Sequence, residues 1–405
     1  MTPITNQPID PRVLGERLKR ARVKASLTQG DVADKLNLAR TTVIAIEKGE
    51  RAPKGEELDA FRKLYSIRLN ELIGLEGVDI PLEPQFRAAL KDNECQDALD
   101  AASKLETFAS YYITLEKMLG MRTIHAYPPP YAITFDGVNP EQAGEEVADE
   151  ERNRLGLGSA PISNLRNLLE EEVGLRIFYF KMGSKVSGIF AFNNEVGGCV
   201  GINRYHPLER CRWTLAHEYG HFLTTRFEPD LNLESSRWGT ARNERLVDSF
   251  AANFLMPRSA VNRRFSEIVS SKSNGFSLAD LLGLADYFLV SAQAMCLRLE
   301  QLRRLTVGTW DSIKRQGLKV ETARNNLGLG KGQHSKEEHC FPLRYRLLAR
   351  SAYEQDLITE GQLARFLDTD RLGAREELEA LDALRSIEEL SEDRSYSEPL
   401  LQTVH

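Results

Sequence analysis

The sequence has 405 residues, 41% hydrophobic and 28% charged, so it can form two or three globular domains with a sizeable core. No stretch approaches the roughly 20 apolar residues of a membrane helix, and the N-terminus has no signal-peptide pattern, which predicts a cytoplasmic protein with no membrane partner. The five cysteines are scattered and form no CxxC, so they suggest neither a disulfide framework nor a cysteine zinc site. The net charge of -6 is uneven: residues 1–75 hold 14 Lys or Arg and 10 Asp or Glu, hence +4 there and -10 elsewhere. A small DNA-binding module joined to an acidic body fits this balance.

Residues 13–75 have apolar residues at helical spacing, and five short helices fit them. Residues 27–49 predict a short helix, a tight turn near Asn37, and a second helix. Apolar residues of the two helices pack together, so the second helix presents an outer face of Arg40, Thr41, Ile44 and Ala45. The run resembles the helix-turn-helix of the XRE, or Cro and phage-repressor, family, and the likeness extends to Leu75.

The resemblance implies that this outer face meets base edges in the major groove of double-stranded DNA. Arg40 can pair with guanine, whereas Ile44 can only touch thymine methyl groups. Three polar side chains flank the helices and are better placed for phosphates: Gln29, Lys48 and Arg51. We expect a homodimer, because one such unit binds DNA weakly; the alternative is a protein-binding helical module.

The predicted organisation beyond this head has four parts. A helical connector spans 76–130, and its amphipathic part, 84–119, ends before Tyr127-Pro-Pro-Pro-Tyr131, which forbids a helix. A mixed domain spans 131–312, a flexible linker rich in Gly, Lys and Asn spans 313–340, and a helical module spans 341–392. The module has a second layout like a helix-turn-helix, although a packing or dimerisation element is the plainer interpretation.

The mixed domain begins with two predicted helices, 141–155 and 162–173, followed by strands at 175–181, 188–192 and 199–203. The turn residues at 193–198 predict a hairpin between the last two strands. An edge strand could hold an extended substrate chain, and either 188–192 or 199–203 could serve; an ordinary sheet strand is the alternative for each. The expected fold class is therefore mainly α with a small β-sheet (α+β).

A helix after Pro207 carries the pattern HExxH. His217 and His221 are four residues apart, so both imidazoles lie on one face and can reach one metal ion, with Glu218 at its border. Two imidazoles and a third protein ligand leave one position for water on Zn²⁺, and a carboxylate can take the proton of that water. The alternative is an exposed helix that carries these residues by chance.

Glu244 and Asp248, an i, i+4 pair on the next predicted helix, supply the rest of a metal site. We assign Glu244 to the metal and Asp248 to the outer N–H of a ligating histidine. A solvated acidic edge is the alternative for this pair. Three rivals for the third ligand lie in a loop-like stretch with no fixed helical phase: Glu228, Asp230 and Glu234.

Residues 131–304 resemble the ImmA/IrrE family of metallopeptidases, whose pattern is TLAHExGH followed by ExxxDxFAAxxLMP. The matching segments are Thr214–His221 and Glu244–Pro257. The resemblance implies a gluzincin-like domain with His217, His221 and Glu244 as zinc ligands and Glu218 as general base. It also implies cleavage of a protein substrate such as a repressor.

For a group that stabilises the oxyanion, the sequence offers Tyr205 and His206, although His206 could equally cap the helix that follows. The favoured hypothesis is a DNA-binding transcriptional regulator with a zinc endopeptidase that cleaves a repressor or antitoxin. The alternative is a non-proteolytic repressor or antitoxin whose zinc domain senses metal or binds a partner toxin. The site could also be latent if the connector at 84–119 blocks access.

Overall fold

The computed structural model describes residues 11–25, 27–65, 96–121, 127–131, 133, 137, 139–193, 196–227, 236–273, 275–317, 320–329 and 339–391. The chain divides into two compact units, Met1–Gly77 and Val78–His405. Both are mainly helical, and the second contains one small sheet, which confirms the expected α+β class. Three parts of the sequence predictions lie outside the described residues: the fifth helix of the head, the start of the connector, and the rival ligands Glu228, Asp230 and Glu234.

In its described residues the first unit contains helices α1 (Pro11–Lys24), α2 (Gln29–Leu36), α3 (Arg40–Glu47) and α4 (Gly55–Tyr65). Thr28 and Asp31 form a reciprocal capping box that begins α2. Asn37 ends it in the left-handed conformation with a φ of 54°, which short polar side chains tolerate, and the predicted turn is confirmed. Val32 and Val43 pack across this turn into one buried core.

The described part of the second unit begins with helices α5 (Gln96–Met118), α6 (Pro140–Arg154) and α7 (Leu165–Leu168), the last continuing as a π-helix (Leu169–Val173). Three strands follow: β1 (Arg176–Phe180), β2 (Gly188–Asn193) and β3 (Gly197–Asn203). The helices after them are α8 (Leu208–Thr224), α9 (Ser236–Leu255), α10 (Arg258–Ser270), α11 (Leu278–Tyr287), α12 (Ala292–Gln301), α13 (Thr309–Arg315), α14 (Val320–Asn326), α15 (Leu343–Glu354), α16 (Glu360–Phe366) and α17 (Arg371–Ser391).

The sheet has the strand order β1-β3-β2. The predicted hairpin is confirmed, because β2 and β3 pair antiparallel, and β1 pairs parallel to β3 on its other side. The suggestion that 199–203 could be an edge strand is wrong, since β3 is hydrogen-bonded along both sides. The edge of β1 is partly covered, because Tyr179 N donates to Cys340 O at 2.8 Å. Within the described chain, no strand pairs with the outer side of β2.

Helices cover both faces of the sheet, because its strands carry apolar side chains on alternating sides. Ile177 and Val200 face α8 and α9, which contribute Leu215, Phe222 and Phe250 to one buried core. Phe178 and Phe180 face the opposite side, where they pack with Phe108 of α5 and Tyr345 of α15. The C-terminal helices were predicted correctly as helices, but they share their core with the sheet and do not form one of their own.

Part of the predicted flexible linker is ordered helix. Helix α14 lies inside the 313–340 range, and Arg324 on it bonds to Glu209 at 2.5 Å and to Asp286 at 3.4 Å. Low apolar content suggested a linker, but these charged contacts tie the segment to α8 and α11. Within the described residues no single helix is long and apolar enough to cross a membrane; α11 and α12 pass that test only as a pair bent by 102°.

Candidate metal centre

Close packing of α8 against α9 builds the site. Gly220 lies between His217 and His221 on α8, and a Cβ there would lie 2.8 Å from Val247 Cγ1 and 3.0 Å from a ring carbon of Phe250. Only glycine therefore allows the two helices to approach this closely. Glu244 and Asp248, on the same helix as Val247, reach the two histidines as a result.

Three potential metal ligands converge between the helices. His217 Nε2 and His221 Nε2 are 3.2 Å apart, and they lie 3.4 Å from Glu244 Oε2 and Oε1 respectively. Ligands about 2.0–2.1 Å from a tetrahedral zinc ion are about 3.3 Å from one another. Among the described residues this is the one group of three His, Cys, Asp or Glu side chains with the spacing of a metal site.

The outer nitrogens of both histidines have hydrogen-bond partners. His217 Nδ1 lies 3.0 Å from Asp248 Oδ1, and His221 Nδ1 lies 3.4 Å from Thr225 Oγ1. The Thr225 hydroxyl donates to His221 O at 3.1 Å, so its oxygen remains an acceptor for the imidazole N–H. Both contacts favour a proton on Nδ1, which leaves Nε2 as the nitrogen that can bind a metal ion when the imidazole is neutral. Sequence reasoning missed Thr225, although its i+4 spacing from His221 was a usable signal.

The electrostatic environment favours positive charge at this point. Burial lowers the pKa of His217, but hydrogen bonds with Asp248 and Glu244 outweigh it and raise the pKa to about 10. Hydrogen bonds with His217 and His221 lower the pKa of Glu244 far below its usual range. Without metal, a proton on His217 therefore supplies the positive charge that the carboxylates favour. A divalent cation suits the same surroundings once that proton leaves.

Glu218 lies where β2 begins. A Cβ on Gly188, the first residue of β2, would lie 2.5 Å from Thr214 Cγ2 and 2.9 Å from Glu218 Oε1. Burial raises the pKa of Glu218, and the charges of His221 and His217 lower it in part. The absence of a side chain at position 188 keeps this space for the carboxyl group.

The structure does not bring Tyr205 and His206 to this site. They precede the first turn of α8, and about 13 Å of helix separates that turn from His217. Tyr205 is 70% exposed, with Lys181 Nζ 5.7 Å from its ring centre. Helix α8 has no side-chain cap, so the capping alternative for His206 is wrong as well.

The predicted DNA-binding face of the first unit is accessible. Arg40 and Thr41 are exposed, and Ile44 and Ala45 are half-buried. Two of the side chains proposed for phosphates have acidic partners. Gln29 Nε2 donates to Glu47 Oε2 at 2.7 Å, beside the buried Arg22–Glu47 ion pair, and Arg51 pairs with Glu57 at 2.8 Å. Exposed Lys48 lies 3.9 Å from Glu50.

The fold and the site together define a class of protein: a helix-turn-helix protein that carries a metallopeptidase-type domain. The sequence profile of the IrrE N-terminal-like domain, a metallopeptidase family, matches residues 170–300, and that of the helix-turn-helix matches residues 18–72. The chain therefore belongs to the XRE-type helix-turn-helix proteins with an ImmA/IrrE-like domain.

Several regulators are similar over short stretches. The HTH-type transcriptional regulator ImmR of Bacillus subtilis is 37% identical over 65 residues, which are 16% of this chain and 51% of ImmR. The transcriptional repressor RstR of the cryptic phage CTXphi, from Vibrio cholerae, is 30% identical over 61 residues, 15% of this chain and 55% of RstR. The chain spans about half the length of each of these two relatives.

One further relative is similar over a short segment, and one solved structure aligns over most of the chain with a low TM-score. An uncharacterised HTH-type transcriptional regulator of Methanocaldococcus jannaschii is 36% identical over 56 residues, 14% of this chain and 85% of its own. The crystal structure of ComR from Streptococcus suis aligns over 94% of this chain and 92% of its own, at 15% identity. Its TM-score of 0.16 supports no argument about the fold or the function.

Proposed function

We propose that this chain is a cytoplasmic, DNA-binding transcriptional regulator whose second unit is a zinc-dependent endopeptidase that cleaves a regulatory protein, such as a repressor or antitoxin. The convergence of His217, His221 and Glu244 carries this proposal. Their donor atoms match the spacing that zinc requires, and both imidazoles are held with their lone pairs toward one point. Glu218 stands beside this set, where a hydrolase needs a base.

The residues divide the chemistry between them. His217, His221 and Glu244 hold the ion, and Asp248 and Thr225 keep the imidazoles in the correct tautomer. Zinc, when bound, supplies Lewis acidity that polarises a peptide carbonyl and makes water more acidic. Glu218 takes a proton from the attacking water and passes it to the amide nitrogen of the departing chain. The burial that raises the pKa of Glu218 makes it a better proton acceptor for this step.

Strand β2 offers the substrate a backbone to pair with. Asn203 N donates to Ser187 O at 2.9 Å, so residue 187 is in a hydrogen-bonded pair with β3. Because such pairs alternate along an antiparallel ladder, Gly188, Phe190 and Phe192 direct their N–H and C=O groups away from β3. An extended peptide that adds to this edge passes Glu218 at Gly188.

The first unit directs the peptidase to DNA. Arg40 and Thr41 contact base edges. Ile44 and Ala45, at the centre of the helix, can make only apolar contacts with thymine. Lys48 contacts phosphate. A homodimer binds two half-sites, because one such unit alone makes too few contacts for stable binding.

The decisive experiment compares the wild type with Glu218→Gln, each expressed with the products of the neighbouring genes. Defined fragments of one partner are expected with the wild type and not with Glu218→Gln. The matched control is Glu267→Gln, an exposed carboxylate on α10, which should cleave like the wild type. Identical partner fragments and identical repression in wild type and Glu218→Gln would instead support the non-proteolytic repressor or antitoxin.

Two measurements test the metal and the DNA head separately. Purified protein should contain about one zinc per chain, and His221→Ala should lose it. Binding to its own promoter should weaken on Arg40→Ala and fall steeply with salt, whereas Lys63→Ala, an exposed cation on α4 paired with Asp59, should change little. Wild-type affinity in Arg40→Ala would exclude the proposed reading face.

A further inference from the structure

A positively charged surface lies at the start of β2. It consists of three exposed cations, Lys181, Arg204 and Arg210, and the exposed ring of Tyr205, and we call it the basic surface. Lys181 Nζ stands 5.7 Å from the centre of that ring. Arg210 Nη2 donates to Ser187 Oγ at 2.8 Å, so Arg210 lies against the residue that precedes β2.

The charge of the basic surface is largely uncompensated. Among the described residues, none of Lys181, Arg204 and Arg210 forms an ion pair, and the recorded partner of Arg204 Nη1 is the Cys340 sulfur at 2.7 Å. One carboxylate, that of Asp97, lies against Gly183. Three exposed cations without ion-pair partners at one end of the sheet, where β1 and β3 end and β2 begins, favour an anionic ligand.

The basic surface lies at a useful distance from the reacting groups. Arg210 Nη2 contacts Ser187, the next residue is Gly188, and a Cβ on Gly188 would lie 2.9 Å from Glu218 Oε1. An extended peptide advances about 3.4 Å per residue, so a chain that passes Gly188 meets Arg210 within the first few residues beyond Glu218. Tyr205 is too distant to act on the cleaved bond, but it can contact a side chain farther along the same bound peptide.

We propose that the basic surface selects a protein substrate that is acidic within the first few residues after the cleaved bond, an inference that rests on the proposed peptidase function. Antiparallel pairing is the more stable arrangement for a peptide added to β2. The part of the substrate before the cleaved bond then lies along β2, and the part after it passes Gly188 toward Arg210. Carboxylates there accept charge-assisted hydrogen bonds from the arginines and the lysine.

DNA phosphates could also meet these cations, but the position of the surface favours a peptide. The surface continues directly into the outer edge of β2, which pairs with no other strand among the described residues and begins beside Glu218. Tyr205 adds a rigid aromatic contact of the kind that is enriched where proteins recognise proteins.

The test measures binding to full-length, zinc-loaded Glu218→Gln, which holds probes without cutting them. Three labelled peptides share a six-residue Val/Thr segment. In the first peptide Glu-Asp-Glu-Asp follows this segment, in the second Gln-Asn-Gln-Asn follows it, and in the third Glu-Asp-Glu-Asp precedes it. The first should bind about tenfold more tightly than the other two at low salt. Adding Lys181→Gln, Arg204→Gln and Arg210→Gln should remove this preference. The control set Lys117→Gln, Arg303→Gln and Lys314→Gln, also exposed cations, should keep it.

Two results would overturn the proposal. One is equal binding of the acidic and neutral probes. The other is a selective loss of affinity for random duplex DNA in the basic-surface variant, which would assign the surface to nucleic acid. Because probe binding requires no cleavage, a missing peptidase activity would leave the acidic preference intact, and the two failures can be told apart.

Discussion

Replacing Gly220 with alanine should weaken zinc binding although the new methyl group touches no ligand. The added Cβ would lie 2.8 Å from Val247 Cγ1, and ordinary contact begins near 3.4 Å, so α8 and α9 must separate by about 0.6 Å. Val247 cannot rotate away easily, because a β-branched side chain in a helix has one strongly preferred rotamer. Metal–ligand distances tolerate changes of about 0.2 Å, so we expect zinc affinity to fall about tenfold or more.

Gly283→Ala is the matched control, because Gly283 also lies in a helix but a Cβ there meets nothing within 4 Å. It should gain up to about 1 kcal/mol of unfolding free energy from helix propensity. Gly220→Ala gains the same but loses about 1–3 kcal/mol to overpacking, so it should be less stable than the control by that amount. The assays are competition with a chromophoric zinc chelator and urea unfolding in EDTA. Zinc affinities within twofold of each other would refute this account of how the site is assembled.

Three further predictions concern the site and its support. Asp248→Ala should lower zinc affinity about tenfold, which is the low end for contacts of this kind because the side chain is 59% exposed. An unchanged dissociation constant for zinc would show that Asp248 does not support the site. Zinc binding near pH 7.5 should release about one proton, because His217, with its pKa raised to about 10, must become neutral to bind, whereas Glu244 is already ionised. Affinity should then rise with pH up to about 10; calorimetry in buffers of different ionisation enthalpy measures the release, and none would contradict the raised pKa. Tyr345→Ala should lower the unfolding free energy of the second unit by about 3–5 kcal/mol, and the unit should still unfold in a single transition. A separate early transition with zinc still bound would show that the C-terminal helices have their own core.

The parts of the site that the sequence predicted are those set by local periodicity. His217 and His221 share a helix face by their spacing, and Glu244 and Asp248 do so on the next helix, so their placement needed no knowledge of the fold. Thr225 obeys the same i+4 rule and was open to the same reasoning. Gly220 and Gly188 were not, because their importance depends on which atoms of another element lie opposite them.

The errors arose where distant segments meet. Strand order cannot be read from hydropathy, so the sequence alone allowed 199–203 as an edge strand. In the structure this strand, β3, lies between β2 and β1. Helix α14 has few apolar residues, and its contacts through Arg324 involve partners more than 30 residues away. Likewise, nothing in the sequence of residues 341–391 shows that their apolar faces complete a core with α5 and the sheet.

The shared core on the back of the sheet has a consequence for biosynthesis. Phe178 of β1 is buried against Tyr345 of α15, so the sheet that supports the zinc site lacks part of its core until residues beyond 345 have left the ribosome. The helix-turn-helix unit is compact by residue 77 and packs its own core. At about 5–20 residues per second, tens of seconds of synthesis separate the two events. A nascent chain would therefore complete its helix-turn-helix unit well before the sheet behind the candidate metal centre has its full core, and translation itself would delay any activity that depends on that centre.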